Sequence, residues 1–207
     1  MSVETPQFST RDIILRETAT LFAMDGFSGV SMRDIANAAG ITPAALYHHF
    51  RDKSELYQAT MSYAFGSKMS DLPTIVIGQA PIEERFASFI SWYCNLMATD
   101  VIYARLLQRE MLDGDEGRLH FLTEEVFREP FKQTMVMMEE LAPEGDAHQL
   151  SVFVFGMIFG YYAFTPTRQL QPGYRSEHDA PEKVAEEITQ LVLNGLKAYS
   201  AIESAAQ

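Results

Sequence analysis

Residues 31–53 carry side chains whose types and spacing suit contact with duplex DNA. Hydroxyl groups and cations donate to phosphate oxygens, and small side chains allow close approach to base edges, where alanine methyls pack on thymine methyls. The stretch combines hydroxyls, cations, small residues and flanking rings at Ser31, Arg33, Thr42, Pro43, Ala44, Ala45, Tyr47, His48 and Lys53. This set predicts a surface that contacts phosphates and base edges.

Two short helices and a tight turn must position these side chains. Ser31 and Asp34 have the spacing of a capping pair at the start of one helix, and Gly40 permits a sharp turn after it. Thr42 is a favourable N-cap for a second helix, with Pro43 at its first position, where the missing amide hydrogen costs nothing. The pattern predicts a helix-turn-helix. The alternative is a tight helical corner with no DNA-binding role.

A longer pattern over residues 9–56 resembles the DNA-binding region of the TetR family of transcriptional repressors. The residues that carry the resemblance are Ser31, Arg33, Ile35, Ala36, Ala39, Gly40, Ile41, Thr42, Ala45, Leu46, Tyr47, His49, Phe50, Lys53 and Leu56. The resemblance implies a three-helix DNA-binding domain at 1–56 and a helical ligand-binding and dimerisation domain at 57–207. It also implies a homodimer that binds a palindromic operator in double-stranded DNA and is released by a small-molecule effector.

The resemblance also assigns roles to individual residues. Ser31 and Arg33 would hold phosphate, residues 42–45 with Tyr47 and His48 would form the recognition helix, and Lys53 would bind phosphate at the start of the fourth helix. The chain has Pro-Ala-Ala at 43–45, where many relatives carry Lys, Arg or Gly. We therefore expect few direct hydrogen bonds to bases.

Periodicity and capping signals predict an all-α fold with about nine helices. The predicted helices are 9–26, 31–39, 43–50, 52–69, 82–98, 100–112, 118–141, 146–164 and 182–200. Gly26 is expected to end the first helix, and Pro130 is expected to kink or divide the seventh. Residues 70–81 and 165–181 are expected to be connections, because proline and glycine interrupt them.

The charge distribution argues against a protein that coats nucleic acid. The net charge is -12, of which residues 1–56 contribute -2 (five basic and seven acidic side chains) and the remainder -10 (eleven basic and twenty-one acidic). Any contact with DNA must therefore be local.

The start of the chain has no basic region followed by an apolar one, and no apolar run approaches the ~18 to 20 residues of a membrane span, so we expect a cytoplasmic protein with no membrane partner.

Aromatic and methionine side chains concentrate after residue 56, which holds ten of the fourteen Phe, eight of the nine Tyr and the only Trp. Such side chains can line an adaptable apolar cavity, or they can be plain core. The cavity candidates, on helices that the TetR family arranges around its ligand, are Phe65, Phe89, Trp92, Tyr93, Met97, Leu106, Phe127, Phe131 and Phe155. They predict an apolar or amphipathic effector. Arg105 and Arg109 could meet an anionic head group, or pair with Glu110 or solvent.

Two helices near the end of the chain are apolar on more sides than one small domain can cover. Gly156 and Gly160 would allow close helix approach, so two helices from each subunit would form a four-helix interface. The interface candidates are Phe153, Gly156, Met157, Gly160, Tyr161, Ile188, Leu191, Val192, Leu196 and Tyr199. The alternative is internal packing only.

Catalytic and metal-binding motifs are missing from the sequence. The five histidines do not pair at ligand spacing, and no phosphate loop or nucleophile motif occurs, so the sequence predicts no metal site, no cofactor and no enzyme. Cys94 cannot form an internal disulfide and is expected to be an inert core residue. Two alternatives to a repressor stay open: a helical small-molecule-binding protein that does not bind DNA, and an enzyme acting on a lipophilic substrate.

Overall fold

A computed structural model describes residues 9–69 and 72–206, with side chains described up to residue 197. Within these ranges every regular element is helical, which confirms the all-α prediction. The helices are α1 (Thr10–Gly29), α2 (Met32–Ala38), α3 (Pro43–His49), α4 (Lys53–Gly66), α5 (Leu72–Val76), α6 (Ile82–Thr99), α7 (Val101–Asp113), α8 (Glu116–Phe121), α9 (Arg128–Leu141), α10 (Ala147–Ala163), α11 (Thr165–Arg168) and α12 (Pro181–Ala206). A π-helical segment covers Leu122–Phe127, and a 3-10 turn covers Ser176–Asp179.

The helical segments outnumber the predicted nine because short helices occupy the expected connections. Pro73 lies in the first turn of α5 and Pro166 in that of α11, where a proline removes no helical hydrogen bond. The division expected at Pro130 occurs earlier, at the π-helical segment, and Pro130 is accommodated in the first turn of α9. At Gly26 the backbone leaves helical geometry, with φ 73° and ψ 169°, but helical residues resume as far as Gly29.

Chain contacts divide the protein into two compact units. Unit 1 comprises the chain up to Lys68 together with Arg105–Val126, and unit 2 comprises Met69–Ala104 together with the chain from Phe127 onward. The domain boundary predicted at residue 56 separates two proposed functions, DNA binding and ligand binding, and it stays a prediction. The contacts add residues 105–126 to the unit that contains the helix-turn-helix.

Unit 1 is built around the packing of α1 against α4, with α2 and α3 completing the corner. Its core contains Ile14, Phe22, Ile35, Leu46 and Phe50, all at most 1% exposed. Leu46 and Phe50 are one helical turn apart, so α3 turns its opposite side to solvent.

Unit 2 is organised around α6, which contacts α5, α9, α10 and α12. Phe86, Phe89 and Ile90 of α6 are completely buried, as expected for a helix that is apolar on most sides. Of the helices described, none has the length and apolarity needed to span a membrane.

Candidate functional site

Side-chain caps fix the starts of the two helices of the helix-turn-helix. The Asp34 amide donates to Ser31 Oγ (3.2 Å), and the Ser31 amide donates to Asp34 Oδ2 (2.8 Å). The Ala45 amide donates to Thr42 Oγ1 (3.2 Å), with Pro43 in the first turn of α3. Hydrogen bonds from Ser31 hold the pKa of Asp34 below its usual value. The carboxylate therefore stays ionised as a cap.

The side of α3 opposite its buried residues is exposed. Tyr47 is 53% exposed, and Thr42, Pro43, Ala44 and His48 are also exposed. Ala45 is half-buried, and Arg33 on α2 is exposed. The predicted contact residues of α3 thus lie at the surface of the helix, and whether they bind DNA stays a prediction.

Lys53, the predicted phosphate ligand at the start of α4, is half-buried and already has partners. Its Nζ donates to the backbone carbonyl of Phe27 and lies 4.3 Å from the centroid of the Phe27 ring. Burial, and then the nearby positive charge of Arg118, lower the pKa of Lys53. Its position is therefore set by groups from α1 and α8 as well as by α4.

The structure reveals a group that sequence reasoning missed, which we call the Phe27 cluster and define as Phe27, Lys53, Tyr57, Glu110 and Arg118. The Arg118 guanidinium carbon lies 5.0 Å from the Phe27 ring centroid and 5.7 Å from that of Tyr57. Arg118 Nε donates to Glu110 Oε2 (2.9 Å), and Glu110 is only 3% exposed. The members lie as many as 91 positions apart in sequence. No local pattern could have grouped them.

Two arginines have different partners from those expected. Arg109 Nε donates to the carbonyl of Ala23 (3.0 Å), and Arg109 Nη2 donates to the carbonyl of Met24. These carbonyls belong to the turn of α1 before Gly26, where a break in helical geometry leaves acceptors in need of other donors. Arg105 Nη1 contacts Met24 Sδ (2.8 Å). Glu110 pairs with Arg118, so the pairing considered for Arg105 and Arg109 is not observed.

Unit 2 contains an aromatic cluster formed by Phe89, Trp92, Tyr93, Phe131 and Phe155. The Phe155 ring lies 5.5 Å from Tyr93, 5.8 Å from Phe89 and 5.9 Å from Phe131 between centroids, and Trp92 lies 6.1 Å from Phe89. Phe89 and Tyr93 are buried, whereas the other three are half-buried. Five of the predicted cavity residues therefore meet.

The other cavity candidates are Phe65, Met97, Leu106 and Phe127. Met97 is buried in α6, and Phe127 is half-buried at the end of the π-helical segment. Phe65 and Leu106 are buried within unit 1. Their roles in ligand binding stay predictions.

A cleft of about 260 Å³ in unit 2 involves a different set of residues. It is lined by Glu83, Leu141, Leu193, Leu196 and Lys197. None of the predicted cavity residues lines it. The aromatic cluster is the more specific candidate for an apolar ligand, because its rings converge from three helices.

An apolar face of α10 is open to solvent. Phe153 is 56% exposed, and Val152, Gly156 and Gly160 on the same face are also exposed. A Cβ built on either glycine would meet no atom within 4 Å. On α12, Leu191 is 64% exposed.

The remaining interface candidates are more covered. Met157, Tyr161, Val192 and Leu196 are half-buried, and Ile188 is buried. Tyr161 donates its hydroxyl to the backbone carbonyl of His178 (2.7 Å). The Tyr199 side chain lies outside the described residues.

Nucleophilic and metal-ligating groups do not assemble in the part of the chain that the structure describes. No group of three His, Cys, Asp or Glu side chains there could hold a metal ion. Cys94 is buried, and burial raises the pKa of its thiol to about 11. The neutral thiol is a poor nucleophile.

The helix-turn-helix lies in a region with a recognisable sequence. Residues 14–60 match the model of the bacterial regulatory proteins of the tetR family. This match places residues 14–60 in the TetR family. A curated relative of the chain is the HTH-type transcriptional repressor KstR2 of Mycolicibacterium smegmatis, 33% identical over 97 residues, which are 44% of this chain and 46% of that protein. The chain thus matches less than half the length of this relative.

Solved structures share the fold of this chain. FadR from Bacillus subtilis, solved with stearoyl-CoA, has a TM-score of 0.74 at 17% identity, covering 88% of this chain and 97% of its own. AibR, solved with isovaleryl coenzyme A and operator DNA, has a TM-score of 0.71 at 20% identity, again covering 88% and 97%. At these identities the likeness establishes the fold alone.

Proposed function

We propose that the protein is a ligand-responsive transcriptional repressor that binds a palindromic operator as a homodimer and is released by a small apolar or amphipathic molecule. The observation that carries this proposal is the division of α3 into two faces. Leu46 and Phe50 are buried, while Thr42, Ala44 and Tyr47 are exposed on a helix whose start is capped. A recognition helix needs this arrangement to enter the major groove.

The proposed contacts are local because the protein is acidic overall. Asp34 and Asp52 cap α2 and α4, and Asp52 accepts from the Glu55 amide (2.9 Å). These carboxylates lie at helix starts, where the partial positive charge of the helix N-terminus offsets part of their negative charge near the proposed DNA face. Affinity would then depend on a few phosphate contacts and on shape, and because the salt dependence scales with the number of phosphates neutralised, binding should weaken only gradually with salt.

A gel-shift experiment tests DNA binding directly. The probe is duplex DNA from the region flanking the protein's own gene, and the control is a scrambled duplex of equal length. We expect a retarded complex that forms on the first probe at lower protein concentration. Equal binding to both probes, or no binding to either, would argue for a helical binding protein without a DNA-binding role, the reading that the net charge of -12 favours.

The homodimer proposal rests on the open face of α10. Phe153, Gly156 and Gly160 form a stripe at helical spacing, and Leu191 adds exposed apolar surface on α12. Contiguous apolar surface on a folded protein marks an interaction site, and a two-fold dimer would cover the same face on both copies. It would also supply two recognition helices for a palindromic operator.

For the effector we propose an acyl thioester of coenzyme A, an amphipathic molecule. FadR and AibR were solved with such thioesters, and the aromatic cluster of unit 2 offers apolar ring surface for an acyl chain. Trp92 is the only tryptophan and lies in this cluster, so its fluorescence reports on the cluster alone.

Titration with stearoyl-CoA and isovaleryl-CoA tests the effector. We expect a saturable change in Trp92 fluorescence that free coenzyme A does not produce, and release of the operator over the same concentration range. Phe155→Ala should weaken the response, because its ring contacts Phe89, Tyr93 and Phe131. Val136→Ala, at an exposed apolar position on α9 outside the proposed dimer interface, is the control. Equal loss in both variants would contradict ligand binding at the cluster.

A further inference from the structure

The Lys53 ammonium is held in a defined place without an ion-pair partner, although the nearby Asp34 charge favours its protonated form. Its contacts are the Phe27 carbonyl and the face of the Phe27 ring, and within the described residues no carboxylate forms an ion pair with it. A neutral carbonyl and a ring face are weaker partners for a cation than an anion is. Burial and the Arg118 charge both disfavour the ammonium where it lies, as the lowered pKa of Lys53 reflects. An arriving anion would relieve that penalty.

The ring that holds this ammonium is itself fixed. The Phe27 ring lies 5.7 Å from Phe22 and 5.4 Å edge-on from Tyr57 between centroids. Gly26 directs the chain into this position through its left-handed backbone (φ 73°). Phe27 therefore gives Lys53 a rigid surface, which a flexible four-carbon side chain lacks by itself.

Arg118 is the second cation at the Phe27 ring, and it is paired with carboxylates. Besides Glu110 at 2.9 Å, its guanidinium pairs with Asp113 Oδ2 at 3.1 Å and Asp115 Oδ2 at 3.8 Å. Three carboxylates neutralise its charge, and its side chain is only 14% exposed. Arg118 is thus poorly placed to bind an anion itself, but its guanidinium carbon lies 5.0 Å from the centroid of the Phe27 ring, and its charge repels the Lys53 ammonium.

We propose that Phe27 and Arg118 are positioning residues that present the Lys53 ammonium to one phosphate of the DNA backbone. The inference rests on the proposed DNA-binding function and adds residues 105–126 to the elements that DNA binding requires. Neither positioning residue touches the DNA. Each acts through Lys53.

The salt dependence of DNA binding separates positioning from general stability. The slope of log affinity against log salt counts neutralised phosphates at ~0.9 each, whereas a variant that merely folds less well loses active protein without changing this slope. The probes are the duplex from the region flanking the protein's own gene and a scrambled duplex. Lys53→Met and Arg118→Met should each reduce the slope by about one unit per subunit, or about two units for the proposed homodimer, on both duplexes. The double variant should lose no more than Lys53→Met alone, because both changes remove the same contact.

Matched variants keep the test decisive if Arg118→Met folds poorly. Phe27→Leu keeps an apolar side chain and the carbonyl that Lys53 uses, but removes the ring face, and it should also reduce the slope by about one unit per subunit. Phe121→Leu removes a ring that touches Tyr57 (6.4 Å) within the same unit and should leave the slope unchanged. Arg105→Met removes an exposed arginine from the same segment and should also leave it unchanged.

The outcomes distinguish this inference from the function on which it rests. Failure of the unaltered protein to bind either duplex would overturn the proposed function and the inference together. If the unaltered protein binds but Arg118→Met and Phe27→Leu keep its slope, the inference alone is overturned. A double variant that loses about two units per subunit would also overturn it, because Arg118 would then bind a phosphate of its own.

Discussion

Replacing Gly26 by alanine should lower the free energy of unfolding by about 2 kcal/mol. The backbone at Gly26 has φ 73° and ψ 169°, a region essentially restricted to glycine, where another residue costs about 1 to 3 kcal/mol. A Cβ at this position would lie 3.3 Å from Arg109 Nη1, so the guanidinium must shift by a few tenths of an ångström. That shift weakens its bonds to the Ala23 and Met24 carbonyls by roughly 1 kcal/mol. The reduced backbone freedom of unfolded alanine offsets about 0.4 to 1 kcal/mol.

Urea denaturation followed by far-ultraviolet circular dichroism measures this loss. With a slope of ~1 to 3 kcal/mol per molar urea, the midpoint should fall by about 1 M. Gly29→Ala is the matched control, because its built Cβ meets only Asp25 Cβ at 3.4 Å, an ordinary contact. That control should be neutral or slightly stabilising.

A double-mutant cycle separates the two contributions to the Gly26 effect. In an Arg109→Met background the steric part disappears, so Gly26→Ala should cost about 1 kcal/mol less than in the unaltered chain. If Gly26→Ala were as stable as Gly29→Ala, the argument from backbone conformation would be refuted. If the cost were the same with and without Arg109, the contribution assigned to the guanidinium would be refuted.

Three further expectations concern the other sites. Phe153→Glu should convert the proposed dimer to a monomer in sedimentation experiments, whereas Val136→Glu, at an exposed position on α9, should not; equal behaviour would contradict the interface on α10. Because burial raises the pKa of Cys94 to about 11, a thiol reagent should label it slowly at neutral pH and rapidly as pH approaches 11 or urea unfolds the chain; fast labelling of the folded protein would contradict its burial. Thr42→Val and Ala44→Gln should change which base pairs are preferred in selection from randomised duplexes, and unchanged preferences would mean that α3 does not face the bases.

The parts of the fold that sequence predicts are those fixed by nearby residues. Ser31 with Asp34 and Thr42 with Pro43 cap α2 and α3 as expected, because a cap and its target amide are three residues apart. Gly40 adopts a left-handed backbone (φ 68°), as the tight turn requires. The exposed side of α3 follows from the same short-range periodicity.

The parts that sequence does not predict depend on distant partners. The sequence predicts a phosphate ligand at Lys53 but not its bond to the Phe27 carbonyl, which links residues 26 positions apart. Arg118 joins the same cluster from 65 positions further along the chain, with no periodicity to mark it. The π-helical segment likewise carries no local signal that separates it from an ordinary helix, so the division of the chain there was expected at Pro130.

The empty space around Gly156 and Gly160 allows the free energy of folding and the free energy of association to be changed separately. Alanine at either position would meet no atom of its own chain, and it favours helix over glycine by about 0.8 to 1 kcal/mol. Such a variant should therefore fold at least as well as the unaltered chain. The added methyl groups would contact only a helix of a partner copy. Any loss of association in these two variants can thus be attributed to the partner surface, which makes them direct measures of how closely two copies meet.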